Sequence, residues 1–239
     1  MAGDVEWVNA LNKVRERVLK VETPKGSGTG FIIAPPGQDG VIGIATALHV
    51  VHHATTWLQP IRLTNVDQKK SFLLMPPRFS FHYNEDRDLG LIRTTEKLPI
   101  SKTHLPTIKE TDRLLAGTEI GWCGYPAVAP SDTLCFFSGR VSAWWGSELA
   151  YLVDGVAING VSGGPAFTCN GDRVELVGVV TAYIPNRATG EVLPGVSLVR
   201  AINPYFKVFK LFEGKPTEGA GEVKDDPKPP QEPPPTPPS

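Results

Sequence analysis

Ile158-Asn159-Gly160-Val161-Ser162-Gly163-Gly164-Pro165-Ala166-Phe167 sets a single serine hydroxyl among three glycines and a proline. Glycine allows sharp turns and close backbone approach in conformations that a Cβ forbids, which suits a serine that must be presented to another chain. A serine hydroxyl is a weak nucleophile. To attack a carbonyl it needs a base for its proton and N–H donors for the oxyanion that forms, and the glycine-rich backbone can supply those donors. Taken alone, Gly163-Gly164-Pro165 reads first as a tight turn between two strands, so the decision lies with the rest of the chain.

A base is offered by His49, a polar imidazole in the otherwise apolar run Ala45-Thr46-Ala47-Leu48-His49-Val50-Val51, where a strand ends. A lone histidine in such a run is commonly a satisfied structural residue. With Ser162 in the same chain it has a second use, because neutral imidazole can take the serine proton and return it to a leaving group. Its other ring nitrogen needs an acceptor, and Asp88 in Arg87-Asp88-Leu89-Gly90-Leu91-Ile92 is the best candidate. Asp88 opens an apolar strand, so its carboxylate would be buried at a strand end where a partner is obligatory. Glu85 and Asp86 read as solvated. The run His49-Val50-Val51-His52-His53 also invites a metal reading. It lacks the glutamate of the helical His-Glu-x-x-His motif and the third and fourth ligands that zinc takes, so neither a metal nor a cofactor is assigned. His82 and His104 stand in no recognisable context.

Around these residues the sequence is punctuated for β structure. Short apolar runs at 30–34, 41–47, 57–63, 71–75, 88–93, 119–123, 135–143, 149–153, 164–168, 175–182 and 195–199 are separated by Gly, Pro, Asn and Asp. This pattern predicts an all-β sandwich or a pair of barrels, since a parallel sheet would need helical crossovers that are not visible. Gly26-Ser27-Gly28-Thr29-Gly30 leads into Phe31-Ile32-Ile33, which reads as strand. A nucleotide loop needs a strand before it and a helix after it, so these glycines are assigned to close packing or to the lining of a groove. At the start, Val5, Val8, Leu11, Val14 and Val18 recur at helical spacing. They predict an amphipathic helix over 4–21 with Asp4 as N-cap, packed on the domain or presented to a partner. Residues 201–212 read as a short closing helix. From 213 the composition collapses to Gly, Glu, Lys, Asp and mostly Pro, which predicts a disordered tail with polyproline-II bias, a tether or a ligand for an aromatic groove.

The totals exclude several classes. A net charge of −1 with no basic block points away from nucleic acid and anionic membranes as partners. The N-terminus is acidic and mixed, and no apolar run is long enough to span a bilayer, so a cytoplasmic location is expected. Three scattered cysteines, Cys123, Cys135 and Cys169, make neither a disulfide framework nor a paired zinc motif and read as buried thiols.

The order His49, Asp88, Ser162 along an all-β chain is the order of the chymotrypsin-type triad, and further segments carry the likeness. Gly26-Ser27-Gly28-Thr29-Gly30-Phe31-Ile32-Ile33, Leu48-His49-Val50-Val51, Asp88-Leu89-Gly90-Leu91-Ile92, Gly124-Tyr125-Pro126, Ser138-Gly139-Arg140-Val141-Ser142-Ala143 and 154–165 occur in sequence. Together they resemble trypsin-like serine proteases of the chymotrypsin fold, and among these the protease domain of the HtrA (DegP-like) group. The resemblance covers about residues 26–202. It implies two six-stranded antiparallel β-barrels, so the chain divides into an N-terminal helix (1–22), a protease domain (23–212, its barrels roughly 23–105 and 106–212) and the proline-rich tail (213–239). It also implies a triad of His49, Asp88 and Ser162, an oxyanion hole from the N–H groups of Gly160 and Ser162, and a substrate strand pairing near Thr181-Ala182-Tyr183. Val156 would floor the primary pocket and Ala182 and Ser197 would wall it. With no acidic group there, cleavage after small or medium apolar residues is expected.

Two departures follow from the same resemblance. Val161 stands where digestive relatives carry the aspartate that receives a new N-terminal amine on zymogen cleavage. The proline-rich tail stands where a PDZ domain would follow. The expected activity is a serine endopeptidase acting on polypeptides, open to activation by a protein partner through the tail or the N-terminal helix. The alternative from another class is a catalytically silent β-barrel module that binds peptides or proteins.

Overall fold

The computed structural model describes residues 2–33, 42–94, 105–109, 111–130, 132–185 and 192–205 of the chain. Helix α1 (Ala2–Arg15) leads into a seven-stranded antiparallel sheet formed by β1 (Val18–Thr23), β2 (Gly26–Ile33), β3 (Ile42–Ala47), β4 (Ile61–Asn65), β5 (Lys70–Leu74), β6 (Phe79–Asn84) and β7 (Leu89–Thr94). Its order is β5-β4-β1-β2-β3-β7-β6. A short helix, α2 (Leu48–Thr56), follows β3 directly. The second half closes on itself in the order β10-β13-β12-β11-β8-β9, from β8 (Glu119–Gly124), β9 (Cys135–Trp145), β10 (Ala150–Asp154), β11 (Pro165–Asn170), β12 (Arg173–Pro185) and β13 (Val192–Ala201). This is the mostly β architecture that the strand punctuation predicts, in the chymotrypsin-like form that the resemblance implies. Among the described residues the first unit carries seven strands where six were expected, and its ladder does not close between β5 and β6.

Three apolar clusters hold the fold. Leu19, Val21, Ile44, Ile61, Leu63 and Ile92 fill the N-terminal sheet, with Val51 and Ala54 of α2 packed on them. Trp122, Tyr151, Val153, Val177 and Val199 fill the closed barrel. A third cluster joins the units: Phe31, Ala45 and Leu91 from the sheet meet Phe167, Leu176 and Val179 from the barrel. Each such side chain contributes roughly 1.5–3 kcal/mol of burial, so the seam is itself a core, and the strand ends facing it are held in fixed relation.

The N-terminal helix is shorter and turned differently than the valine spacing predicts. It begins at Ala2, which places Asp4 inside it, and Val18 already belongs to β1. Ala10 and Val14 are buried and Trp7 and Leu11 pack against the seam cluster, whereas Val8 is 59% exposed. The true face is 7-10-11-14, ordinary i, i+3, i+4, i+7 spacing anchored on a tryptophan. Trp7 packs against Phe136 and Phe167 with ring centroids 5.5 and 5.9 Å away, and its indole N–H donates to Glu119 at 3.0 Å. The expected strand at 57–63 begins only at Ile61, because α2 extends through Thr56. Of the expected closing helix, 201–205 fall among the described residues: Ala201 still belongs to β13, and only 203–205 are helical. Residues 206–212 and the tail lie outside them.

Candidate active site

His49 lies in the first turn of α2, and no side chain of that segment caps the helix. The cap comes from another strand. Asp88 immediately precedes β7, which is paired with β3 up to Ala47 opposite Leu89, so the sheet itself delivers Asp88 to the start of α2. There it receives three hydrogen bonds. Leu48 N–H donates to the Asp88 backbone carbonyl at 3.0 Å, His49 N–H donates to Oδ1 at 2.9 Å, and His49 Nδ1 lies 2.7 Å from Oδ2. A carboxylate only accepts, so Nδ1 carries the ring proton and Nε2 keeps its lone pair. The Asp88 backbone has φ of +51°, a left-handed conformation that aspartate tolerates better than most residues. The Asp88 side chain is 28% exposed and that of His49 52%. The carboxylate is thus only partly buried, less than its place before an apolar strand suggests.

Ser162 belongs to the loop between β10 and β11, and that loop is packed onto the strand leading to His49. Ser162 C=O accepts the Thr29 N–H at 2.9 Å, and Gly163 N–H donates to Val180 O at 2.6 Å. Gly163 has φ of +88°, and a Cβ there would stand 1.9 Å from Thr29 O and 3.0 Å from Ala47 N. Only glycine fits, and Ala47 is two residues before His49. Among the described residues no hydrogen bond joins the Ser162 hydroxyl to the imidazole. Such bonds are often long without substrate and tighten in the complex.

The turn before the serine has a defined hand. Val161 N–H donates to Ile158 O at 3.0 Å and Gly160 has φ of +94°, the signature of a type II turn over residues 158–161. Ala127 N–H donates to Asn159 O at 2.8 Å. Because a trans peptide points its C=O and N–H in opposite directions, the Gly160 N–H faces away from Ala127. Among the described residues neither the Gly160 nor the Ser162 N–H donates to another group. A Cβ at Gly160 would stand 2.3 Å from Tyr125 O, so this position also requires glycine.

The remaining expected site residues border this loop. Val180 N–H donates to Gly164 O at 2.9 Å, and a register break follows between Val180 and Ala182. Thr181 is buried, its Oγ1 lacking a partner among the described residues. Ala182 and Tyr183 pair with Leu198 and Ser197 in the backbone ladder, their side chains lying outside the described residues. Ser197 is buried and its hydroxyl donates to Gly155 O at 2.7 Å. Val156 is half-exposed, and its carbonyl accepts the Trp122 indole N–H at 3.2 Å.

Tyr205 is a participant that nothing in the sequence marks. Tyr205 is buried and its hydroxyl donates to Thr46 O at 2.8 Å. Burial first, then the negative charge of Asp88, push its phenol well above the ordinary range, partly offset by a backbone bond from Gly90. Thr46 and Gly90 face each other in the β3–β7 ladder, so this phenol pins the two strands that present His49 and Asp88. Among the described residues no group of three or more His, Cys, Asp or Glu side chains could hold a metal ion.

The trypsin-like peptidase domain family matches residues 28–179, well over half of the chain. The chain belongs to the trypsin-like peptidase domain family. As a trypsin-like peptidase domain it shares its fold with solved structures at low sequence identity. It is similar to Deg5 at 20% identity, with 87% of this chain and 93% of that one covered and a TM-score of 0.65. It is also similar to the inactive form of the Ser343Ala mutant of Rv3671c from M. tuberculosis H37Rv, at 16% identity, the same coverages and a TM-score of 0.58. No protein of curated function matches it in sequence. The chymotrypsin-like fold that the sequence resemblance implies is therefore shared with these structures, and membership of the peptidase family supports proteolysis as the activity class.

Proposed function

We propose that this chain is a serine endopeptidase in which Ser162 is the nucleophile, His49 the general base and acid, and Asp88 the group that orients the imidazole. The observation that carries the reading is the His49–Asp88 pair at 2.7 Å, whose carboxylate also caps the helix bearing the histidine. In the first half-reaction Ser162 Oγ bonds to the scissile carbonyl carbon while its proton passes to His49 Nε2. The carbonyl oxygen becomes an oxyanion facing the Gly160 and Ser162 N–H groups. Collapse breaks the C–N bond, the imidazolium protonates the leaving amine, and water resolves the acyl-enzyme by the same steps in reverse. The Gly160 N–H, which faces away from Ala127 and donates to no group among the described residues, supports this part of the reading.

The primary pocket is read as uncharged. Val156 is half-exposed and the Ser197 hydroxyl is occupied by Gly155, which favours cleavage after small or medium apolar residues. Strong preference for arginine in a peptide-library profile would overturn that specificity. One observation favours a silent binding module: the Ser162 hydroxyl and the imidazole share no hydrogen bond among the described residues. A fluorophosphonate probe decides between the readings. Labelling that vanishes in Ser162→Ala supports the enzyme, and no labelling of the folded chain, with or without peptide, leaves the binder.

A further inference from the structure

Thr29 stands in β2 between Gly28 and Gly30 and is fully buried. Every polar group it has is engaged, each by a different part of the site. Its N–H donates to Ser162 O at 2.9 Å. Its hydroxyl donates to Gly160 O at 2.7 Å and accepts the Tyr125 N–H at 3.0 Å. Its carbonyl accepts the Thr46 hydroxyl at 2.7 Å, and Thr46 lies three residues before His49. Room for the hydroxyl is made by Gly124, where a Cβ would stand 2.6 Å from Thr29 Oγ1.

We propose that Thr29 is a positioning residue for the proteolytic reaction, its hydroxyl holding the 158–161 turn with the Gly160 N–H turned away from Ala127, so that the oxyanion site is set without an activating event. The inference rests on the reading of Ser162 as nucleophile and goes beyond it by naming what fixes the turn. The two peptides flanking Gly160 are held separately. Ala127 N–H holds the carbonyl of the first and the Thr29 hydroxyl that of the second. A glycine between two free peptides would let either rotate, since no Cβ opposes it. The hydrogen bonds run in sequence from Tyr125 N–H to Thr29 Oγ to Gly160 O, and each donor in such a chain polarises the next. Without the hydroxyl, the buried Tyr125 N–H and the partly buried Gly160 O both lose that partner, and rotation of the turn becomes their route to new ones.

The test uses the full chain as wild type, Thr29→Ser and Thr29→Val, measuring kcat and KM on a chromogenic peptide ester, inhibition by a peptide boronic acid, and the thermal midpoint. For Thr29→Val the expected result is a fall in kcat of about tenfold or more with KM within about twofold, because loss of an oxyanion donor acts on the transition state. Boronate affinity falls by the same factor, and Thr29→Ser restores both. A kcat within about twofold of wild type in Thr29→Val overturns the proposal, as does equal loss in Thr29→Ser, or lost kcat with unchanged boronate affinity. Should Thr29→Val not fold, Thr29→Cys takes its place, its thiol being a weak donor, with the same outcomes. Wild type that neither takes up fluorophosphonate nor turns over the ester sinks the endopeptidase reading, a result distinct from an active wild type with an unaffected Thr29 variant.

Discussion

Asp88 works through three acceptors at once: its carbonyl on Leu48 N–H, one carboxylate oxygen on the His49 N–H, and the other on the His49 ring. Replacing it with asparagine keeps the size but allows an NH₂ group to face Nδ1, which then favours the tautomer with its proton on Nε2. Asp88→Asn is expected to lower kcat by about 10⁴-fold, as for the corresponding aspartate of the serine-protease triad, with little loss of fold; a drop of less than about tenfold in a steady-state assay would contradict the orienting role. His49, Asp88 and Ser162 were legible in the sequence because each combines reactive chemistry with a local oddity: a histidine inside an apolar run, a carboxylate opening a strand, a serine among glycines. Thr29 and Tyr205 were not. A threonine between packing glycines and a tyrosine in a closing turn are ordinary in sequence, and their parts depend on contacts 131 and 159 residues away.

At the scale of elements, the loop from Gly155 to Gly164 is anchored by burial where digestive relatives are expected to use an ion pair. Val161 is fully buried in the barrel cluster with Trp122 and Ala166. Val161→Asp places a carboxylate there without a designed partner, and a loss of about 3 kcal/mol or more in urea unfolding is expected; a variant of unchanged stability would show that this loop is not part of the core. Strand punctuation by Gly, Pro, Asn and Asp located most of β3, β5, β7, β8, β9, β10, β11 and β12 and half of β2 and β13, where alternation and turns agree. It missed β1 and β6 and misplaced the region of α2. Val14 and Val18 continue a helical spacing across the turn at 16–17, so periodicity alone runs the helix into a strand. α2 has no cap of its own to announce it, since its cap arrives from Asp88, 39 residues further along the chain.

For the molecule as a whole, Cys123, Tyr125 and Tyr205 share a position in the seam cluster, and burial pushes all three hydroxyl or thiol groups up. Unfolded, a thiol ionises near 9.0 and a phenol near 10.0, so above those values the unfolded chain binds fewer protons than the fold. Stability is then fully present below about pH 9 and declines as pH rises, by up to about 1.4 kcal/mol per pH unit for each group. Urea midpoints measured from pH 8 to pH 11 should fall, and Cys123→Ala should flatten the early part of that fall; a constant midpoint would refute the assignment. The seam also sets an order of assembly. β1 finds β2 across a tight turn, whereas α1 rests on Glu119, Phe136 and Phe167. Contacts so distant along the chain close late, so α1 is among the last elements to dock, and until the second barrel forms Trp7 lacks the Phe136 and Phe167 rings that cover it.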